Sequence, residues 1–66
     1  METDESDLPE VGAPARRALT GAGHTRLERL ADVTEAELLA LHGVGPKAVG
    51  ILREALSRRG LSFRGA

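Results

Sequence analysis

A nine-residue pattern that occurs twice restricts the fold of this chain more than any other feature. "LTGAGHTRL" (residues 19–27) lies over "LHGVGPKAV" (residues 41–49) at an offset of 22 residues. Both copies read Leu, any residue, Gly, a small residue, Gly, three further positions and an apolar residue. Each is flanked by runs whose apolar residues recur at three- to four-residue spacing, the period of a helix face. Glycine turns a chain sharply because positive φ carries no Cβ penalty. Two glycine turns, each joining a pair of short helices, predict a pseudo-twofold duplication. No run alternates with strand period. The expected fold class is all-α, a compact bundle of four to five short helices.

The helices can be placed from their ends. Pro14 suits a first helical turn, where its missing N–H would have no partner. "PARRALTGAG" then puts Ala15, Ala18, Leu19 and Ala22 on one small-residue face, and Gly21 and Gly23 end it. Thr25 with Glu28, and Thr34 with Glu37, are two capping-box signatures. Leu27, Leu30 and Ala31 follow the first; Leu38, Leu39 and Leu41 follow the second. The longest helix is predicted from Pro46 to about Arg59, with Val49, Ile51, Leu52, Leu56 and Ala48 or Ala55 inward. Gly60 then occupies the left-handed position after a helix. Leu61 is expected to fold back onto Leu56, and Phe63 to close the core.

Sixty-six residues make one small domain near the lower limit for independent folding. With no cysteine, neither disulfides nor thiolate zinc sites can staple it. Charge is unevenly distributed. Residues 1–10 carry Glu2, Asp4, Glu5, Asp7 and Glu10 and no base, whereas residues 11–66 carry nine Lys/Arg against five acids, a balance of +4. Residues 1–10 are therefore read as a disordered acidic tail and residues 11–66 as the domain. Leu8 or Val11 is expected to dock where the two meet. The acidic start is unlike a signal peptide, and no stretch approaches the ~18 apolar residues of a membrane span. A soluble cytoplasmic protein is the expectation.

The second glycine hairpin has chemistry of its own. Gly43 and Gly45 allow positive φ and close backbone approach, and Pro46 pre-sets the helix that follows. The amides of Gly45, Lys47 and Ala48 are then left unpaired at a helix N-terminus, which attracts anions. Lys47 sits where the helix dipole prefers an acid, and a bound phosphate would account for it. Val44 is expected to plug inward and brace the turn. The alternative is that the glycines serve only a tight turn between antiparallel helices.

"LLALHGVGPKAVGIL" resembles a helix-hairpin-helix motif, two helices joined by a Gly-apolar-Gly hairpin with a basic residue following. Residues 11–63 also resemble the C-terminal domain of the bacterial RNA polymerase alpha subunit, through "TEAELL", Gly45 with Lys47, and "RGLSF". The resemblance implies a SAM-like architecture of two tandem hairpin motifs. It further implies binding to the double-stranded DNA backbone, mostly through the minor groove and without strong sequence preference. The implied contacts are the hairpin residues Gly43, Val44, Gly45, Lys47 and Ala48, and their first-copy counterparts Gly21, Gly23 and Thr25. The polymerase domain's DNA-reading arginine and asparagine fall on Pro14 and Arg17, and its serine on Ala48, so only the backbone-binding hairpin carries over. Arg16 and Arg17 are added as phosphate contacts. In this family hairpin carbonyls can also hold a monovalent cation. A bacterial, nucleoid-associated protein working with a larger DNA-processing or transcription complex would follow.

Other classes fit less well. DNA glycosylases carry such a hairpin, some with a catalytic lysine near the place of Lys47, but they need a downstream carboxylate. Here the only acid after Lys47 is Glu54, on the same predicted helix. The chain is too short for a flipped-base pocket, and Ser6, Ser57 and Ser62 have no neighbouring base. No catalysis and no small-molecule substrate are expected. His24 and His42 lack metal-ligand spacing and are read as exposed turn residues. Stacking on single strands needs aromatic side chains, and Phe63 is assigned to the core. The rival reading is a helical protein-interaction module related to the polymerase domain, without DNA binding. Arg16, Arg17, Lys47 and Arg53 gathered at the hairpin would favour DNA; their dispersal would favour a protein partner.

Overall fold

The computed structural model describes residues 8–65. Most of the expected disordered tail, residues 1–7, lies outside the described residues. Within them the chain forms four helical segments and no strand: α1 (Ala13–Gly21), a 3-10 helix (Leu27–Asp32), α2 (Glu35–Leu39) and α3 (Pro46–Ser57). The all-α expectation holds.

The twelve-residue α3 is the axis, packed against the 3-10 helix and α2. It buries Ala48, Val49, Leu52 and Leu56. Around them close Ala15 and Leu19 of α1, Leu27 and Leu30 of the 3-10 helix, Leu38 of α2, and Val44 and Phe63. Every buried side chain among the described residues is hydrophobic. Leu8 and Val11 pack on this cluster from the outside, as does Leu61.

Three apolar residues depart from their expected places. Ile51 is half-buried and lines a surface groove. The buried arc of α3 centres between Ala48 and Val49, and at about 100° per residue Ile51 is rotated off it. Leu39 is 45 % exposed, one step around the helix from buried Leu38. Ala22 lies beyond the end of α1 and is exposed.

The two capping-box signatures have different fates. At α2 the box forms: Glu37 N–H donates to Thr34 Oγ1 at 3.1 Å, and Thr34 N–H donates to Glu37 Oε1 at 3.0 Å. Thr34→Ala is expected to cost about 1 kcal/mol, roughly 4–8 °C in a thermal melt of a domain this size. An unchanged melt would show that α2 is held by packing alone. At Thr25 no box forms, because Arg26 is extended and the helix begins at Leu27 without a side-chain cap. Its two buried residues, Leu27 and Leu30, stand three apart. That is the repeat of a 3-10 helix, which superposes positions i and i+3.

The far end of α3 follows the pattern expected for Gly60, with the helix ending at Ser57 and Arg58 and Arg59 forming the turn. Gly60 has φ +74°, its N–H donates to Ser57 O, and Leu61 N–H reaches back to Leu56 O at 2.8 Å. This paired closure is a Schellman cap. The chain then places Phe63 in the core at 2 % exposure, and Arg64 N–H donates to Val33 O at 3.0 Å.

Candidate nucleic-acid interface

The hairpin between α2 and α3 is built from one turn and one helix start. Val44 N–H donates to Leu41 O at 3.1 Å, closing a four-residue turn in which Gly43 has φ +98°. Val44 plugs inward as expected and is 6 % exposed. Gly45 is the N-cap of α3 and is extended, with φ −114° and ψ −178°. The expected positive φ therefore falls on Gly43 alone. Proline drives the residue before it out of the helical region toward extended backbone, so Pro46 fixes the conformation of Gly45.

The first glycine pair adopts the opposite arrangement. Gly21 is the last residue of α1, and Gly23, the counterpart of Gly45, has φ +86°. Gly23 N–H donates to Thr20 O and His24 N–H to Leu19 O, a second Schellman cap. No helix starts directly after it, since residues 24–26 intervene before the 3-10 helix. The two copies share sequence, but only the second presents a helix N-terminus at its glycines. His24 is half-buried, not exposed as expected, whereas His42 is exposed.

Gly43 also decides where α1 lies. A Cβ at this position would stand 2.9 Å from Pro14 O and 3.7 Å from Ala18 Cβ. The bare glycine lets the first turn of α1 rest directly on the hairpin. One groove is thereby lined by the N-cap Gly12 and by Pro14 and Ala15 of α1, together with Gly43, Gly45, Pro46, Lys47 and Ala48. Glu10, Val11 and Ile51 complete its walls.

Two helix starts thus meet in one place. Gly12 and Gly45 are the N-caps of α1 and α3; neither helix has a side-chain cap or an acid in its first turn. Val49 N–H donates to Gly45 O, and Arg16 N–H to Gly12 O. The amides of Lys47 and Ala48, and of Ala13 and Ala15, come before those first intrahelical bonds. Each start carries the partial positive charge of a helix N-terminus, and Lys47 adds a full exposed one.

No family model, curated protein or solved structure matches this chain. The chemistry of the groove stands on its own geometry.

The remaining basic residues divide. Arg17 lines an adjoining groove with Pro14, Ala18, His42 and Gly43, beside the hairpin. Arg16 and Arg17 face a third groove with Glu10 and Gly21. Gly23 and Thr25 line none of these grooves. Arg53 points elsewhere: its guanidinium grips the Glu35 carboxylate through two hydrogen bonds of 2.9 and 3.0 Å. Those hydrogen bonds hold the Glu35 carboxyl below its ordinary pKa and push Arg53 above its own. Depression of a folded-state carboxyl stabilises the fold above the unfolded pKa and is lost as pH falls through the folded value. The pair ties α2 to α3 at neutral pH, and Arg53 is not among the side chains gathered at the hairpin. Sequence reasoning missed this pairing, as it missed Gly12, Glu10 and Ile51 in the groove. A signal for Gly12 was present, since a glycine shortly before Pro14 repeats the Gly45-Pro46 start.

Among the described residues no group of three His, Cys, Asp or Glu is placed to hold a metal ion. No helix among them is long and apolar enough to cross a membrane.

Proposed function

We propose that this protein is a small module that binds the duplex DNA backbone through the α2–hairpin–α3 unit, with α1 as a second wall. α2, the turn and α3 then form a helix-hairpin-helix element. The observation that carries this reading is the groove in which two uncapped, acid-free helix starts and Lys47 converge. Unpaired amides, dipole and ammonium together suit a phosphate oxygen. Arg17 beside Gly43 extends the positive surface along one side. These contacts touch phosphates and not base edges, so they position the protein without reading sequence.

A few neutralised phosphates support affinities of about 10⁻⁴–10⁻⁶ M that weaken steeply with salt. The test is an amide NMR titration with a short mixed-sequence duplex at low and moderate salt. Shifts are expected at Gly43, Gly45, Lys47 and Ala48, fading with salt. In Lys47→Ala, the slope of log affinity against log salt should fall by about 0.9, the value of one phosphate contact. An absence of hairpin shifts at low salt would overturn the reading.

One observation favours a second reading, a protein-interaction module. Leu39 is the exposed large hydrophobic residue among the described residues, and it shares α2 with exposed Ala36. A protein partner covering α2 would perturb Leu39 and leave Lys47 untouched.

A further inference from the structure

We infer that the acidic segment 1–7 of this chain docks in cis on the positive surface around the Gly43/Gly45 hairpin, where it stands in for phosphate. The described chain begins beside that surface. Leu8 and Val11 pack on the core, and Glu10, between them, lines both the Lys47 groove and the groove of Arg16 and Arg17. The described chain therefore begins two residues before a side chain that lines both of the grooves holding the hairpin's cations.

Charge and reach both fit. Segment 1–7 carries Glu2, Asp4, Glu5 and Asp7 and no base. Among the described residues, the grooves present Lys47, Arg16 and Arg17 against the single acid Glu10. Seven residues span up to about 25 Å when extended, and the two shorter dimensions of the described fold are 25 and 17 Å. Lys47 and Arg17 are within reach without unfolding anything. A tether this short gives an effective concentration in the millimolar range, so weak, salt-screened contacts suffice for substantial occupancy.

The consequence for DNA rests on the duplex-binding reading above; the docking does not. If segment 1–7 occupies the surface for part of the time, the apparent affinity for duplex is reduced by the unoccupied fraction. Releasing it should raise affinity about two- to tenfold.

The experiment compares the full chain with its Glu2→Gln/Asp4→Asn/Glu5→Gln/Asp7→Asn variant by amide NMR, first without DNA. At low salt the two spectra are expected to differ at Gly43, Gly45, Lys47, Ala48, Arg16 and Arg17, with the differences fading at moderate salt. A mixed-sequence duplex is then titrated into both. Differences confined to residues 1–10 would overturn the docking. So would tighter duplex binding by the variant without those DNA-free shifts, since raising the net charge from −1 to +3 strengthens long-range attraction by itself. DNA-free hairpin shifts with no duplex response from either chain would establish the docking and retire the DNA reading instead.

Discussion

Gly43→Ala is expected to lower the melting temperature by roughly 10–20 °C, from a loss of about 2–3 kcal/mol in so small a domain. Two separate causes act at this position. Its φ of +98° is a conformation that L side chains rarely adopt, with a cost of about 1–2 kcal/mol. Its Cβ would also stand 2.9 Å from Pro14 O, a backbone atom that moves only if α1 moves. Two other glycines separate these causes. Gly23 has φ +86°, and a Cβ added there would meet nothing within 4 Å, so Gly23→Ala should cost only the conformational part. Gly45 is extended with equally open surroundings, and Gly45→Ala should lose less than about 1 kcal/mol, the weaker N-capping of alanine. Far-UV circular dichroism melts of the three variants decide the matter. Equal losses in Gly43→Ala and Gly23→Ala would show that the approach of α1 to the hairpin contributes nothing.

That ordering bears on what a glycine repeat can reveal. Both copies are legible as turns, but which glycine of each pair takes positive φ depends on the residue that follows. Pro46 forces Gly45 to be extended, and the left-handed turn moves back to Gly43. His24 imposes no such restriction, so Gly23 closes α1 directly. The asymmetry is therefore present in the sequence, in one proline. It also separates the candidate contacts: Lys47 lies in the first turn of α3, whereas Thr25 stands in the irregular link before the 3-10 helix.

The capping boxes teach a related point. Thr34 and Thr25 have the same partner spacing, yet only Thr34 is followed by an α-helix that can present its third amide. The apolar spacing after Thr25 does not separate the two cases, because Leu27, Leu30 and Ala31 at i, i+3 and i+4 fit an α-helix face as well as a 3-10 one. Other features carry no local signal. Arg53 and Glu35 are 18 residues apart in the chain, and their pairing exists only because α2 and α3 pack side by side. The convergence of the α1 and α3 starts is likewise tertiary. It depends on Gly43 admitting Pro14, which no reading of either helix alone reveals.

Phe63→Ala should have the largest effect on stability of any single core truncation here. Phe63 is the only aromatic residue in the chain and is 2 % exposed within the buried cluster. Removing a buried phenyl ring costs about 3–5 kcal/mol through lost transfer energy and the cavity left behind. A 66-residue domain has roughly 3–10 kcal/mol of stability in total, so the variant should lie close to its folding midpoint at room temperature. The location near the described C-terminus raises a specific alternative, in which residues 61–65 detach and the helices remain. Two backbone bonds oppose detachment, from Leu61 N–H to Leu56 O and from Arg64 N–H to Val33 O. With neither Trp nor Tyr in the chain, far-UV circular dichroism is the appropriate probe. The transition is expected to fall by about 15–30 °C and to stay cooperative, while Phe63→Leu, which keeps most of the volume, loses less than about 1.5 kcal/mol. A Phe63→Ala melt within a few degrees of the parent would mean that α1, the 3-10 helix, α2 and α3 complete a core without the ring. The final segment would then be a surface strap, and the Gly60 turn would serve to end α3 instead of delivering Phe63 to its interior.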